Sequence, residues 1–172
     1  PHRVKAPSRA WHAETPFHPA CYYEHFELPG RRMNTSRGWE IQPAIVWDMA
    51  VRMKNDYDNF PWFIAENGMG IENEARFKNA DGEIQDDYRI AFITEHLYQA
   101  LRARDAGMNC QGYMLWAFTD NVSPMNAFKN RYGLIEIDLE NQRQRRMKKS
   151  ARWYQQVSEQ RQLSVTLDDE AK

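Results

Sequence analysis

No stretch of this chain approaches the roughly 20 consecutive apolar residues that span a bilayer, and no signal peptide opens it. Cysteine is nearly absent: Cys21 and Cys110 stand in chemically unlike surroundings and show no metal-ligand spacing. That excludes a disulfide scaffold and a cysteine metal site, and it fits a reduced, cytoplasmic protein. Charge of one sign is missing as well. Twenty-three Lys and Arg against 24 Asp and Glu leave a formal net charge of −1. No global field therefore argues for nucleic acid or an anionic membrane as partner. There is no internal repeat and no low-complexity tract, so repeat architectures drop out.

What is present is ordinary for a globular domain: 172 residues, 42% hydrophobic and 27% charged, enough for one real core. Aromatic content is high at 13%, with six tryptophans. Such rings either fill a core or stack on flat ligands. The chain begins with Pro1 rather than Met, which suggests a natural start elsewhere.

Along the chain, residues 1–38 hold five prolines and few periodic apolar positions, and read as one irregular loop region. A helix is predicted to open at Pro43, with Ile45, Met49 and Met53 at helical spacing. Phe60 to Ala65 reads as a short buried strand, followed by a polar loop through Asn79-Ala80-Asp81-Gly82. The clearest helix runs from Asp86 to about Ala106, with Ile90, Ile93, Leu97 and Leu101 on one face and Gly107 at its end. Gly112 to Trp116 is a second apolar strand, and Gly133 to Asp138 a brief extended segment. The basic run Arg143 to Lys149 reads as a solvated face leading into a last helix to about Gln160, and 161–172 as a frayed tail.

Strands alternating with helices imply parallel pairing through crossovers. Two buried strands cannot make a sheet of their own, so the pattern implies part of a larger α/β domain. In such folds the site lies at the carboxyl ends of the strands. Glu66 holds that position on the first strand, and Trp116 on the second, with Asp120 and Asn121 just beyond. Asn67-Gly68 is also a hairpin signal, which would make Glu66 a mere polar strand end. A glutamate beside aromatic rings suits sugar chemistry: a carboxylate meets the anomeric carbon, rings stack on the pyranose, and Asn or Asp reads hydroxyls.

Four motifs carry a resemblance: 63-FIAENG-68, 86-DDYRIAFITEHL-97, 112-GYMLWAFTDN-121 and 129-KNRYGLIEID-138, with 38-GWEIQP-43 upstream. In order and spacing, from about Arg37 to Lys149, they resemble the C-terminal part of glycoside hydrolase family 1. The resemblance implies an α/β chain forming the C-terminal part, about strands seven and eight with their helices, of a (β/α)8 TIM barrel. Residues 39–160 would be the last βα units. It implies retaining hydrolysis of β-glycosides without metal or organic cofactor. Glu66 matches the nucleophile and Trp116 the tryptophan under the sugar. Trp39 is a candidate for the aglycone side, with packing beneath the barrel rim as the alternative.

Two departures narrow the substrate. Where β-glucosidases of the family carry a glutamate and tryptophan after the DN pair, this chain has Ser123 and Pro124. A 6-phosphate brings about −1.5 to −2 charges. At 4 Å, a glutamate facing even one of them costs roughly 4 kcal/mol at an effective dielectric of about 20, or about a thousandfold in affinity. Serine removes the repulsion and offers a hydroxyl. The 6-phospho-β-glycosidases of the family share this serine, and their phosphate site implies Ser123, Lys129 and Tyr132 here, with Arg131 as the alternative cation. The expected substrate is then a phosphorylated β-disaccharide or aryl β-glucoside. The family's acid/base glutamate lies in an NEP motif that this chain lacks. The alternatives are a non-phosphorylated β-glucosidase or β-galactosidase, or an inactive truncated remnant.

Overall fold

The computed structural model describes residues 3–14 and 16–165. The sequence reading of 166–172 as a frayed tail lies outside the described residues. The chain divides into two compact units, with the boundary between Gln42 and Pro43.

The N-terminal unit is more ordered than its prolines suggest. β1 (Arg3–Lys5) pairs antiparallel with β2 (Glu24–Phe26), and β3 (Met33–Asn34) with β4 (Trp39–Glu40). The expected single loop over 1–38 is thus two short ladders. Pro7, Pro16, Pro19 and Pro29 lie outside all four strands, so none of them removes a donor from a ladder. A long-range tie adds order: the Arg3 guanidinium donates to both carboxylate oxygens of buried Glu40, at 2.5 and 2.9 Å.

In the C-terminal unit the order is α1 (Ala44–Asp56), β5 (Trp62–Asn67), β6 (Ile71–Glu72), α2 (Asp87–Asp105), β7 (Cys110–Leu115), β8 (Asn130–Arg131), β9 (Ile135–Asp138), β10 (Gln144–Met147) and α3 (Lys149–Gln160). The central feature is β5 paired in parallel with β7 across α2. β6 pairs instead with β8. The Asn67-Gly68 hairpin therefore does not form, and the parallel-strand reading of this segment stands, but the expected burial does not: β5 alternates half-buried with exposed residues because only one of its faces is covered. α2 stops where Gly107, at φ +78°, lets the Met108 amide reach back to the Ala103 carbonyl at 3.0 Å.

Only one face of the β5–β7 pair is covered. Trp62 and Ile64 pack with Val46, Ala100 and Cys110, while Tyr113 and Leu115 pack with Ile93, Leu134 and Ala151. Ala50 and Ala103, both fully buried, allow close packing at a neighbouring cluster. The opposite face carries Phe63, 56% exposed, and Met114, 52% exposed. Among the described residues the pair has no third strand, so the unit is an arc of an α/β fold and not a closed barrel.

The basic run needs correction. Gln144 to Met147 form an exposed hairpin strand against β9, but Lys148 is completely buried. Composition cannot separate it from its solvated neighbours; the β9–β10 hairpin carries it inward, where carboxylates await.

Candidate active site

Glu66 owes its orientation to an irregularity. Ile64 pairs with Tyr113 and Asn67 with Leu115, so β5 spends three steps where β7 spends two. The extra residue is a β-bulge that breaks the alternation of side chains. Ile64 and Asn67 both face the covered side, where Asn67 Oδ1 accepts the Tyr113 hydroxyl at 2.5 Å. Glu66 is left on the open side, exposed, at the carboxyl end of β5.

Trp116 follows β7 on that side and is 39% exposed. Its amide donates to the Asn67 carbonyl at 2.8 Å, so it stands next to the end of β5. The Trp116–Ala117 peptide is cis. Gly68 is required here, because a methyl group in its place would overlap the Trp116 carbonyl. Tyr132 joins the same edge: its carbonyl accepts the Ala117 amide at 3.2 Å, and its buried ring lies over Gly70. Glu66, Trp116 and Tyr132 are thus on adjoining segments.

Ser123 lies at the neck of the loop between Trp116 and Tyr132. Its amide and carbonyl exchange bonds with Ala127 at 3.0 and 2.8 Å. Lys129 is exposed and pairs with Glu72 at 3.2 Å. Arg131, the alternative cation, is held by Asp120 at 3.5 Å and by the Phe128 ring. Lys129 is the less committed of the two. Trp39 belongs to the N-terminal unit, half-buried in β4 with the Arg37 guanidinium 4.6 Å over its ring.

Asp120 does not face a ligand. It is buried, accepting Lys148 at 3.0 Å and the Gly133 amide at 2.9 Å. Around it lies a charge network that motif reasoning missed. Glu74 receives Lys148 at 2.5 Å, the Tyr88 hydroxyl at 2.6 Å and Arg89. Arg89 also holds Asp86 at 2.9 Å and donates to the backbone carbonyls of Met69, Arg131 and Tyr132. Burial opposes the charge on Arg89, but Glu74, Tyr88 and Asp86 outweigh it and raise its pKa. Burial, then Glu74, pushes the Tyr88 phenol far up, so it stays a neutral donor. The motif DDYRI announces Arg89 and Asp86; nothing in the sequence marks Glu74 or Lys148 as their partners.

A parallel strand pair with a glutamate and a tryptophan at its neighbouring carboxyl ends places both where an α/β enzyme carries its site. The family profile of glycosyl hydrolase family 1 matches residues 20–163, and the chain belongs to that family. It is 48% identical over 159 residues to the 6-phospho-β-glucosidase GmuD of Bacillus subtilis, covering 92% of this chain and 34% of that protein. With a 6-phospho-β-galactosidase of Clostridium acetobutylicum it shares 38% identity over 141 residues, 78% of this chain and 29% of the relative. Its structure superposes on the family 1 β-glucosidase of Thermotoga maritima with a TM-score of 0.77 at 26% identity, covering 95% of this chain and 34% of that one. The chain thus spans about a third of the length of the relatives it matches.

Proposed function

We propose that this segment supplies the nucleophile and the 6-phosphate contacts of a retaining 6-phospho-β-glucosidase. Ionised Glu66 attacks the anomeric carbon to form a glycosyl-enzyme, and an acid/base glutamate outside this chain protonates the departing oxygen, then activates water. Trp116 lies under the sugar, Ser123, Lys129 and Tyr132 take the phosphate, and Trp39 serves the aglycone side. A phosphorylated β-disaccharide or aryl β-glucoside is the substrate, and cytoplasmic phosphorylated sugars are its source. No helix among the described residues is long and apolar enough to cross a membrane.

The observation that carries this proposal is the bulge that turns Glu66 to the open side beside Trp116. The 6-phospho specificity rests on Ser123 in place of a glutamate, and the named activity of the Bacillus subtilis relative favours it. The test uses a complete barrel, with this segment preceded by its upstream strands. A 2-fluoro-glycoside 6-phosphate should label Glu66, and Glu66→Gln should lower kcat at least about a thousandfold. Label on any other residue overturns the nucleophile assignment. Equal rates on nitrophenyl β-glucoside and its 6-phosphate overturn the phosphate assignment. Faster turnover of the galactoside 6-phosphate would move the specificity to the galacto series.

A further inference from the structure

Lys148 is the one lysine in the basic run that sees no solvent, and its two partners lie on different walls of the candidate site. Glu74 lies in the segment that continues from β5 past Glu66, while Asp120 opens the loop that carries Ser123 and Lys129. The ammonium bridges them, at 2.5 Å to Glu74 Oε2 and 3.0 Å to Asp120 Oδ1. Asp120 also closes the far end of the same loop. Its oxygens accept the amides of Gly133 at 2.9 Å and Ile137 at 3.3 Å, and Arg131 approaches to 3.5 Å. Arg89 adds backbone contacts to Met69 on one wall and to Arg131 and Tyr132 on the other. Arg89, Lys148 and the partly exposed Arg131 stand against Glu74, Asp86 and Asp120, three cations to three carboxylates, so the charge of the network balances.

We infer that Lys148 is a positioning residue: it holds the 121–130 loop against the segment that follows the nucleophile strand, and so sets where Ser123 and Lys129 stand. A buried ion pair is poor evidence of stability in itself, because desolvation offsets much of the attraction. What it supplies here is geometry. Glu74 also meets Arg89 and Asp120 also meets Arg131, but Lys148 is the cation whose ion pairs join the two carboxylates to each other, and so it fixes the spacing of the segments that bear them. Lys148 touches no substrate; it acts through Asp120 and Glu74. The consequence for substrate recognition rests on the proposed phosphate role of Ser123 and Lys129, whereas the consequence for the loop does not.

Two measurements test this. In the complete barrel, hydrogen exchange of Lys148→Met should speed at the loop amides of Ser123, Ala127 and Lys129 by about tenfold or more while β5 and β7 change less than about twofold. The double variant Lys148→Met/Asp120→Asn removes one charge of each sign and provides the same comparison should the single variant not fold. Lys148→Arg should restore most of the protection. Unchanged loop exchange, or equal acceleration across the whole unit, overturns the inference. In the complete barrel, the same variants should raise KM for the 6-phosphorylated glycoside about tenfold while leaving KM for the plain glycoside within about twofold. A loosened loop with unaltered KM for the phosphorylated glycoside would support the positioning role of Lys148 and overturn the phosphate assignment of Ser123 and Lys129.

Discussion

Glu66 faces the open side because β5 spends one residue more than β7 between Ile64 and Asn67. The same accommodation places Asn67 under Tyr113, so the nucleophile candidate is flanked by a residue anchored at 2.5 Å. In the proposed function, Ser123 is the discriminating side chain at the substrate's other end. Replacing it with glutamate returns a carboxylate to face the phosphate. In the complete barrel, Ser123→Glu should weaken kcat/KM for the 6-phosphorylated glycoside by about a thousandfold, from the roughly 4 kcal/mol repulsion at 4 Å, and spare the plain glycoside. Parallel loss on both substrates would show that the loop had merely collapsed. Cys110 belongs to this scale as well: burial pushes its thiol up. It should resist alkylation at pH 8 in the folded chain and react once urea exposes it, as mass spectrometry would record.

Between elements, the covered face depends on small residues. Ala50 and Ala103 have no exposed surface and pack with Met108, Trp47 and Trp62. Ala103→Leu overfills this cluster and should lower unfolding free energy by about 1–3 kcal/mol in urea titrations. A neutral result would mean that the cluster has room to relax. In the N-terminal unit, hydrogen bonds from Arg3 hold the Glu40 carboxyl below the usual range despite burial. The unfolded carboxyl titrates near 4.5. Its contribution is therefore complete above that value and is lost as pH falls through the lower folded one. The β1–β2 and β3–β4 signals should fade on acidification below about pH 4.5, and Glu40→Gln should flatten that dependence in NMR titrations.

At the largest scale, the strand pair of the C-terminal unit presents one covered face and one open one. Phe63, Met114 and Trp116 lie on the open side of two strands that have no third neighbour among the described residues. Exposed apolar surface beside unpaired strand edges drives association. Expressed alone, the 172 residues should bind the dye ANS and elute from gel filtration as oligomers, and Phe63→Lys should reduce both. A dye-silent monomer would mean that the open face is covered in solution. The proposed mechanism takes its acid/base glutamate from an NEP motif that these 172 residues do not contain, so expressed alone they should not turn over nitrophenyl glycosides, phosphorylated or not.

Motif order, strand and helix alternation, and the placing of Glu66 and Trp116 at the carboxyl ends of paired strands were legible in the chain, because periodicity and short-range spacing record which face a residue takes within its own element. Strand ends came out two residues early at β5 and two late at the start of β7, where bulges break the period. What the linear order could not convey was pairing across distance. Whether Asn67-Gly68 turns a hairpin or ends a parallel strand depends on β7, 43 residues beyond Asn67 at its first position, Cys110. Whether Asp120 reads a sugar or braces a loop depends on Lys148, which looks like its solvated neighbours until the β9–β10 hairpin carries it inside. Charge has no period, so a buried cation reveals itself only when folding brings its carboxylates within 3.0 Å.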